Sequence, residues 1–214
     1  MPTISQISEQ KRRANRRNIF LDGTFAFGCN INVVARFRLR EGLQISDEQL
    51  REIQLGAVKQ ECFDKAMRYL QTGLHSRSEL QKKLKRHEWG DAVIDAVLED
   101  LSRMQYLDDS RFAKTKALAA AEHEKHGKRR AFVELIKSGV SNSVATKALE
   151  EVYEPRDSTR VARELAMKQR ARLIKLDPLV ARRRLFGMLQ RRGFEYDEIR
   201  PVIDDVLGRG HDAD

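Results

Sequence analysis

The chain has 214 residues and a formal net charge of +9, and 41% of its residues are hydrophobic while 34% are charged. This balance is typical of a helical, strongly solvated protein with thin cores, and the positive charge predicts affinity for nucleic acid or for acidic protein surfaces. No apolar run is long enough to span a bilayer and the N-terminus lacks the apolar core of a signal peptide, so we expect a cytoplasmic protein without membrane contact.

The first part of the chain differs in its hydrophobic period from the rest. Ile19–Leu21 and Thr24–Phe27 are typical of two strands, and the Asp22-Gly23 dipeptide between them suits a type I′ turn, in which both central residues need a positive φ. A two-stranded hairpin is only marginally stable alone, so we expect this small β unit to pack on other elements. The basic run Lys11–Arg17 is interpreted as a solvated hairpin loop, with a contact to nucleic acid as the alternative.

Helical patterns occupy the remainder of the chain. Ser46 and Gln49 form a capping box, which predicts a long helix that runs to about Thr72 and ends at Gly73. Two short amphipathic helices are predicted between Ser76 and Tyr106. Further helices are predicted from Asp109 to about Lys125, from Gly127 to Ser138, from Ser141 to Val152, up to Ile174, from Asp177-Pro178 onward and from a cap at Asp197. We expect a chain break at Glu154–Asp157 and a frayed tail after Gly208.

The helical part repeats itself about every fifty residues. Leu84, Leu135 and Leu189 occupy equivalent positions at intervals of 51 and 54 residues. Gly139 and Gly193 each follow the equivalent leucine by four residues, and an apolar residue follows each glycine. Two aligned glycines of this kind at a helix end are hard to obtain by chance, so we predict three tandem three-helix repeats.

Short motifs around the first repeat carry a resemblance to a known family. Ser78-Glu79-Leu80 with Leu84, followed by Leu107-Asp108-Asp109 and Phe112-Ala113, resembles the RecX family of bacterial recombination regulators. The repeat pattern and the N-terminal segment extend the resemblance over nearly the whole chain. One departure is Glu88, which stands where such proteins usually carry a turn glycine.

The resemblance and the repeat together predict the architecture. We expect a mainly α protein in which three tandem three-helix repeats form an elongated, curved array behind a small β-rich N-terminal extension. The predicted boundaries are 1–46 for the extension, 47–107 for the first repeat, 108–154 for the second, and 155–214 for the third with the C-terminal tail.

The resemblance also implies a function. Such a protein would bind the filament that the RecA recombinase forms on DNA and would modulate it, mainly by inhibiting ATP hydrolysis, filament growth and strand exchange in recombination and repair. The alternative is a sequence-neutral nucleic-acid-binding helical repeat protein without a specific recombinase partner. We expect a monomer in either case.

Basic residues on the second helix of each repeat are the candidate binding surface for the filament and for DNA. One basic helix needs no partner, since any surface helix is polar, but three equivalent helices of one sign favour a continuous surface. The candidate residues are Arg77, Lys82, Lys83, Lys128, Arg129, Arg130, Arg182, Arg183 and Arg184.

No catalytic motif is recognisable in the sequence. A nucleophile elbow, a CxxC pair and an HExxH motif are all missing. The carboxylates of Asp108 and Asp109 suit the start of a helix for reasons of capping and dipole alone. Cys29 and Cys62 have neither metal-ligand spacing nor a disulfide framework, and we expect both to be reduced and packed. We therefore predict a protein that is not an enzyme and uses no cofactor.

One pair of histidines could begin a metal site. His123 and His126 lie three residues apart on a predicted helix, next to Glu122 and Glu124. No third ligand is identifiable from the sequence. An exposed polar helix end is the favoured interpretation, so no metal is predicted.

Overall fold

The computed structural model describes residues 1–11, 13–154 and 157–208. The chain forms two compact units, of which one contains Met1–His75 with Glu79–Leu107 and the other contains Ser76–Ser78 with Asp108–Asp214. Three strands and ten helices occupy the described ranges. The protein is mainly helical with a small antiparallel sheet near its N-terminus, as predicted, whereas the repeat boundaries stay predictions.

The sheet has three antiparallel strands in the order β1 (Ile4–Gln10), β2 (Arg13–Leu21) and β3 (Thr24–Asn30). The turn between β2 and β3 has φ values of 48° at Asp22 and 84° at Gly23, which confirms the predicted hairpin turn. The sheet therefore contains one strand more than the predicted hairpin.

The interpretation of the basic run at 11–17 as a hairpin loop was wrong for Arg13–Arg17, which belong to β2, while Lys11 lies in the turn after β1. Arg16 and Arg17 lie inside β2, which pairs with β1 along most of its length. Arg17 stands opposite Glu9 and forms an ion pair with it at 2.6 Å, so the charges of the two strands compensate each other. Arg12 lies outside the described residues.

A long helix covers the sheet. Helices α1 (Ile31–Arg36) and α2 (Asp47–Thr72) follow β3, and α2 begins and ends where the sequence predicts. The predicted capping box is confirmed, since the Gln49 N–H donates to Ser46 Oγ at 3.2 Å and the Ser46 N–H donates to Gln49 Oε1 at 2.9 Å. Ile19 of β2 and Ile53 of α2 are buried together in the core of this part.

The second half of α2 packs on a different group of helices. Cys62 and Ala66 share a core with residues of α3 (Arg77–Leu84) and α4 (Asp91–Arg103). Lys59 of α2 forms an ion pair with Asp100 of α4 at 2.6 Å. One helix thus contributes to both cores of the first unit.

The second unit contains six helices. These are α5 (Asp109–Glu122), α6 (Lys128–Lys137), α7 (Asn142–Tyr153), α8 (Ser158–Leu173), α9 (Pro178–Arg191) and α10 (Tyr196–Leu207). They form two cores, one from α5, α6 and α7 and one from α8, α9 and α10. Each core is the three-helix arrangement that the repeat predicts.

Helix caps agree with the sequence at most positions. Asp108 caps α5, Ser141 caps α7, and Asp177 caps α9 with Pro178 as the first helical residue. The predicted cap at Asp197 was wrong. Glu195 is the N-cap of α10, because Glu198 accepts its backbone N–H at 2.6 Å in a capping box.

Helix α5 is shorter than predicted. It ends at Glu122, and Lys125 adopts a φ of 55°, which a helix cannot continue through. His126 therefore lies in the connection to α6 and not on a helix. The chain break predicted at Glu154–Asp157 falls between α7 and α8, where Glu154 ends one helix and Asp157 caps the next. Pro155, Arg156 and the tail predicted to fray after Gly208 lie outside the described residues.

The repeat positions identified in the sequence are core positions. Leu84, Leu135 and Leu189 have exposed fractions of 0%, 2% and 0%. Each lies on the second helix of its group and belongs to the core of that group. The predicted equivalence of the three leucines is confirmed.

Candidate partner-binding surface

A close backbone contact fixes α6 against α9. The Gly127 N–H, at the start of α6, donates to the carbonyl oxygen of Arg192 at 2.8 Å. A Cβ atom at Gly127 would overlap the carbonyl of Gly193, and a Cβ at Gly193 would overlap the backbone nitrogen of Arg130. Gly193 also has a φ of 86°, which favours glycine. Both glycines are therefore required for this approach.

A related contact, with a side-chain donor in place of the backbone N–H, occurs within this unit one repeat earlier. The Ser76 hydroxyl donates to the carbonyl oxygen of Ser138 at 2.5 Å, and these residues are the repeat equivalents of Gly127 and Arg192. Gly139 has a φ of 80°, and a Cβ there would overlap the side chain of Ser78. The two aligned glycines of the sequence thus lie where the end of one helix packs against the start of another.

This contact gives a physical reason for the departure at Glu88. Glu88 is the equivalent of Gly139 and Gly193, and its φ is not positive. Helix α3 ends earlier, at Leu84, and Glu88 is exposed. Because Glu88 is exposed and its backbone does not require glycine, a side chain is tolerated there.

The α6–α9 contact brings basic residues of two repeats to one groove. Arg129, Arg130 and Lys137 of α6 line a groove of about 440 Å³ together with Arg191 of α9. Arg129 and Arg130 are predicted surface residues. Residues of two equivalent helices thus line one groove, whereas the role of these residues in binding a partner stays a prediction.

A second basic groove lies between α8 and α9. Arg183 and Arg184 line it with Arg172 of α8, and its volume is about 500 Å³. Arg191 lines this groove as well as the α6–α9 groove. The two grooves are therefore neighbours, and we call them together the basic path of the second unit.

The predicted arginines of the second unit differ in how much they are engaged within the protein. Arg182 forms an ion pair with Asp204 and donates to the carbonyl oxygen of Gly208 at 2.7 Å, so it joins α9 to the end of α10. Arg130 donates to Glu134 at 3.0 Å. Within the part of the chain that the structure describes, Lys128, Arg129, Arg183 and Arg184 are exposed and have no ion pair.

The predicted residues of α3 also differ from one another. Lys82 is exposed, but the ammonium group of Lys83 lies 5.1 Å from the centre of the Tyr69 ring and 3.0 Å from His75 Nε2. The cation–π contact holds Lys83 against the protein. Arg77 is half-buried, and its backbone N–H donates to Asp109 at 2.7 Å.

The first unit has a groove that the sequence did not reveal. Arg13, Lys65 and Arg68 line it with Trp89, and its volume is about 950 Å³. These residues come from β2, α2 and the turn after α3, so no local pattern connects them. The single tryptophan of the chain next to a basic helix is the one signal that could have found it.

Acidic residues partly offset the charge of this groove. Glu61 forms an ion pair with Arg16 at 2.5 Å, and Asp64 accepts from Asn30 at 2.7 Å. The groove therefore combines a basic rim, a tryptophan and two carboxylates that are already paired with Arg16 and Asn30. Such a surface is suited to stacking on a base or on an aromatic side chain.

The two cysteines are packed, as predicted. Cys29 and Cys62 are buried free thiols. Burial raises the pKa of each thiol to about 11. Both are therefore protonated at neutral pH and poor nucleophiles.

No helix of the described ranges has the length and apolar character that a membrane crossing requires.

Fold and surface define a helical repeat protein with a small sheet at its N-terminus and a basic path on its second unit. The model of the RecX N-terminal domain matches residues 2–46, that of the first RecX three-helix domain matches 62–101, and that of the third matches 157–203. The chain is 31% identical over 206 residues to the regulatory protein RecX of Bacillus subtilis (strain 168), with 96% of this chain and 78% of the relative covered. The chain belongs to the RecX family of regulatory proteins.

Other relatives and solved structures agree. The regulatory protein RecX of Clostridium acetobutylicum is 25% identical, with 98% of each chain covered. A crystal structure of regulatory protein RecX matches with a TM-score of 0.81 at 24% identity, over 95% of this chain and all of that chain. The crystal structure of RecX from Lactobacillus salivarius matches with a TM-score of 0.64 at 20% identity, over 70% of this chain and 96% of that one. These likenesses in structure concern the fold.

Proposed function

We propose that this protein binds the filament of the RecA recombinase on DNA and modulates it, mainly by inhibiting ATP hydrolysis, filament growth and strand exchange. The observation that carries the proposal is membership of a family of regulatory proteins along nearly the whole chain. The partner follows from the family resemblance. The action belongs to DNA recombination, repair and the SOS response, in the cytoplasm, and the active form is a monomer.

The basic path of the second unit supports this proposal physically. A filament presents the same protein surface and the same DNA phosphates at every protomer, so a path of several cations can meet several acceptors at once. Each contact is modest, but contacts within one molecule add through effective concentration. Arg129, Arg183 and Arg184 are the residues best suited to such contacts because they are exposed and lack ion pairs among the described residues.

The proposed action is regulation by binding and not by catalysis. The two thiols are buried and protonated, so neither Cys29 nor Cys62 is suited to nucleophilic chemistry. Two open grooves bounded by arginines fit a macromolecular surface better than they fit a small substrate. Binding that depends on so many cations weakens steeply with salt.

A second candidate function is sequence-neutral binding of nucleic acid without a recombinase. The groove of Arg13, Lys65, Arg68 and Trp89 favours it, because cations beside an aromatic ring are typical of single-strand binding. The basic path of the second unit is compatible with both functions.

The deciding experiment is the DNA-dependent ATP hydrolysis of the cognate recombinase, with this protein titrated from far below stoichiometric amounts. A fall in hydrolysis well before the DNA could be covered is the expected result. A fall that begins only when free DNA is coated, and that disappears with excess DNA, would contradict filament regulation and leave the nucleic-acid binder.

A further inference from the structure

The connection between α5 and α6 contains a group of metal-ligating side chains. His126 Nδ1 lies 2.8 Å from a carboxylate oxygen of Glu124 and 3.6 Å from a carboxylate oxygen of Glu134. The candidate ligand atoms of the three residues all lie within 4.8 Å of one another. Glu134 lies in the second turn of α6. It comes close to His126 only in the folded chain.

The histidine nitrogen in this group is buried and has no hydrogen-bond partner. The His126 side chain is 10% exposed, and Nδ1 is one of two such buried, unpartnered side-chain atoms in the described residues. The nearby Glu124 oxygen is close to Nδ1, but not in a direction that makes a hydrogen bond. A buried polar atom without a partner costs free energy, unless a ligand satisfies it.

We propose that Glu124, His126 and Glu134 bind one divalent transition-metal cation of the Zn²⁺ class, with water completing the coordination. An imidazole nitrogen and two carboxylates are ligands that Zn²⁺ accepts, at about 2.0–2.2 Å from the metal. Tetrahedral ligands at that distance lie roughly 3.3 Å apart. The observed separations of 2.8 and 3.6 Å lie on either side of that value.

The electrostatic surroundings favour a neutral imidazole at this position. Desolvation by burial lowers the pKa of His126, and the nearby Arg130 charge lowers it further. A neutral ring can present a lone pair on Nδ1, which a protonated ring cannot. The two carboxylates supply the negative charge that a divalent cation requires.

Arg130 competes with a metal cation for the carboxylate of Glu134. Its Nε donates to a Glu134 oxygen at 3.0 Å, and its guanidinium also donates to the carbonyl oxygen of Arg191 at 3.3 Å. The oxygen that accepts from Arg130 is Oε1, which is also the Glu134 oxygen that lies 3.6 Å from His126 Nδ1. A cation at this site therefore shares that oxygen with Arg130 or displaces the guanidinium from it. The shared carboxylate limits the affinity to a moderate value.

The site lies directly at the contact between α6 and α9. Arg192 donates to the carbonyl oxygen of Glu124 at 2.9 Å, and Glu134 lines the α6–α9 groove. A bound cation would neutralise acidic side chains next to the arginines of the basic path. The metal site does not depend on the proposed recombinase function, since its ligands all belong to this chain.

Isothermal titration of the full chain with ZnCl₂, after treatment with a chelator, tests the proposal. We expect one Zn²⁺ per chain. His126→Ala and Glu134→Gln each weaken binding by at least about tenfold, since even partners outside the ligand sphere contribute that much. His123→Ala is the matched control, because it removes an exposed histidine of the same segment that is not in the group.

A further variant covers the case in which His126→Ala fails to fold. Glu124→Gln alters an exposed side chain at constant size, so its circular dichroism should match the unaltered protein while Zn²⁺ affinity falls. Co²⁺ gives a second readout, because coordination by nitrogen and oxygen produces a visible absorption band that Glu124→Gln should change. The proposal is overturned if the unaltered chain binds no Zn²⁺ at about 100 μM, or if His123→Ala loses as much affinity as Glu124→Gln.

Discussion

Gly193 lies so close to the backbone nitrogen of Arg130 that a Cβ atom on the glycine would overlap it. The contact joins the end of α9 to the start of α6 through backbone atoms, and the Arg130 guanidinium adds a hydrogen bond to the carbonyl oxygen of Arg191. Two requirements meet at this residue, a φ of 86° and the absence of a side chain.

Replacing Gly193 with alanine should lower the free energy of unfolding of the second unit by about 3 kcal/mol. The left-handed backbone costs an alanine about 1–2 kcal/mol, and the overlap with Arg130 adds about 1–3 kcal/mol. Urea unfolding followed by circular dichroism measures the loss.

Gly208→Ala is the matched control for this prediction. Gly208 has a φ of 84°, but a Cβ there meets nothing within 4 Å. It should lose only the backbone cost of about 1–2 kcal/mol. An equal loss in both variants would mean that the approach of α9 to α6 contributes nothing.

Much of the helical fold could be predicted because its causes are local or periodic. The leucines at 84, 135 and 189 repeat since each must fill the same place in a three-helix core. The caps at Ser46 and Asp177 depend on residues at most three positions away. The N-terminal half of β2, which contains Arg16, was missed because its pairing with β1 and the Glu9–Arg17 ion pair override its polar sequence.

The candidate sites were less predictable than the fold. Basic charge on successive repeats indicated Arg129 and Arg183 as candidate surface residues. The sequence alone did not reveal that Arg182 forms an ion pair with Asp204. Trp89 joins its groove only through the packing of α3 against α2. Glu134 reaches His126 because α5 ends early, and that end depends on the positive φ at Lys125.

Reversing the charge of Arg183 and Arg184 together, as R183E with R184E, should weaken filament binding by at least about tenfold at low salt. Both side chains are exposed in the basic path and hold no ion pair within the described residues, so the helices should remain intact. Fluorescence anisotropy on assembled filaments measures the affinity, and its dependence on salt should become shallower.

A double variant with the same change of charge provides the control. R160E with K168E alters two exposed residues of α8 that line neither groove of the basic path. Equal weakening by both double variants would show that net charge alone governs binding. Unchanged binding by R183E with R184E at intact helicity would remove the basic path from the proposed interface.

Cys29 and Cys62 should react slowly with a disulfide reagent in the native protein. Burial raises each pKa from 9.0 to about 11, so at pH 8 the thiolate fraction falls about a hundredfold, and access is blocked as well. Absorbance at pH 8, in buffer and in denaturant, compares the two rates. A native rate within about tenfold of the denatured rate would contradict the burial.

The same thiols make stability fall at alkaline pH. A thiol with a raised pKa stays protonated in the folded state while the unfolded thiol ionises, so its contribution is complete below pH 9.0 and is lost between there and about 11. The expected loss is about 1.4 kcal/mol per pH unit and thiol in that range. Urea midpoints measured from pH 8 upward, with C29A as a comparison, should show the slope reduced in the variant.

Trp89 is the only tryptophan of the chain, so its fluorescence reports on the groove of the first unit alone. If single-stranded DNA enters this groove, an oligonucleotide should quench the emission in a saturable, salt-dependent way, since bases stack on aromatic rings beside cations. Arg68→Glu should weaken the effect by about tenfold. Arg51→Glu, an exposed arginine of the same helix that does not line the groove, should leave it unchanged.

Two outcomes would contradict binding of DNA in this groove. Equal quenching in both variants would assign the DNA contact to another surface. Measurable binding without any quenching would assign it to the basic path of the second unit.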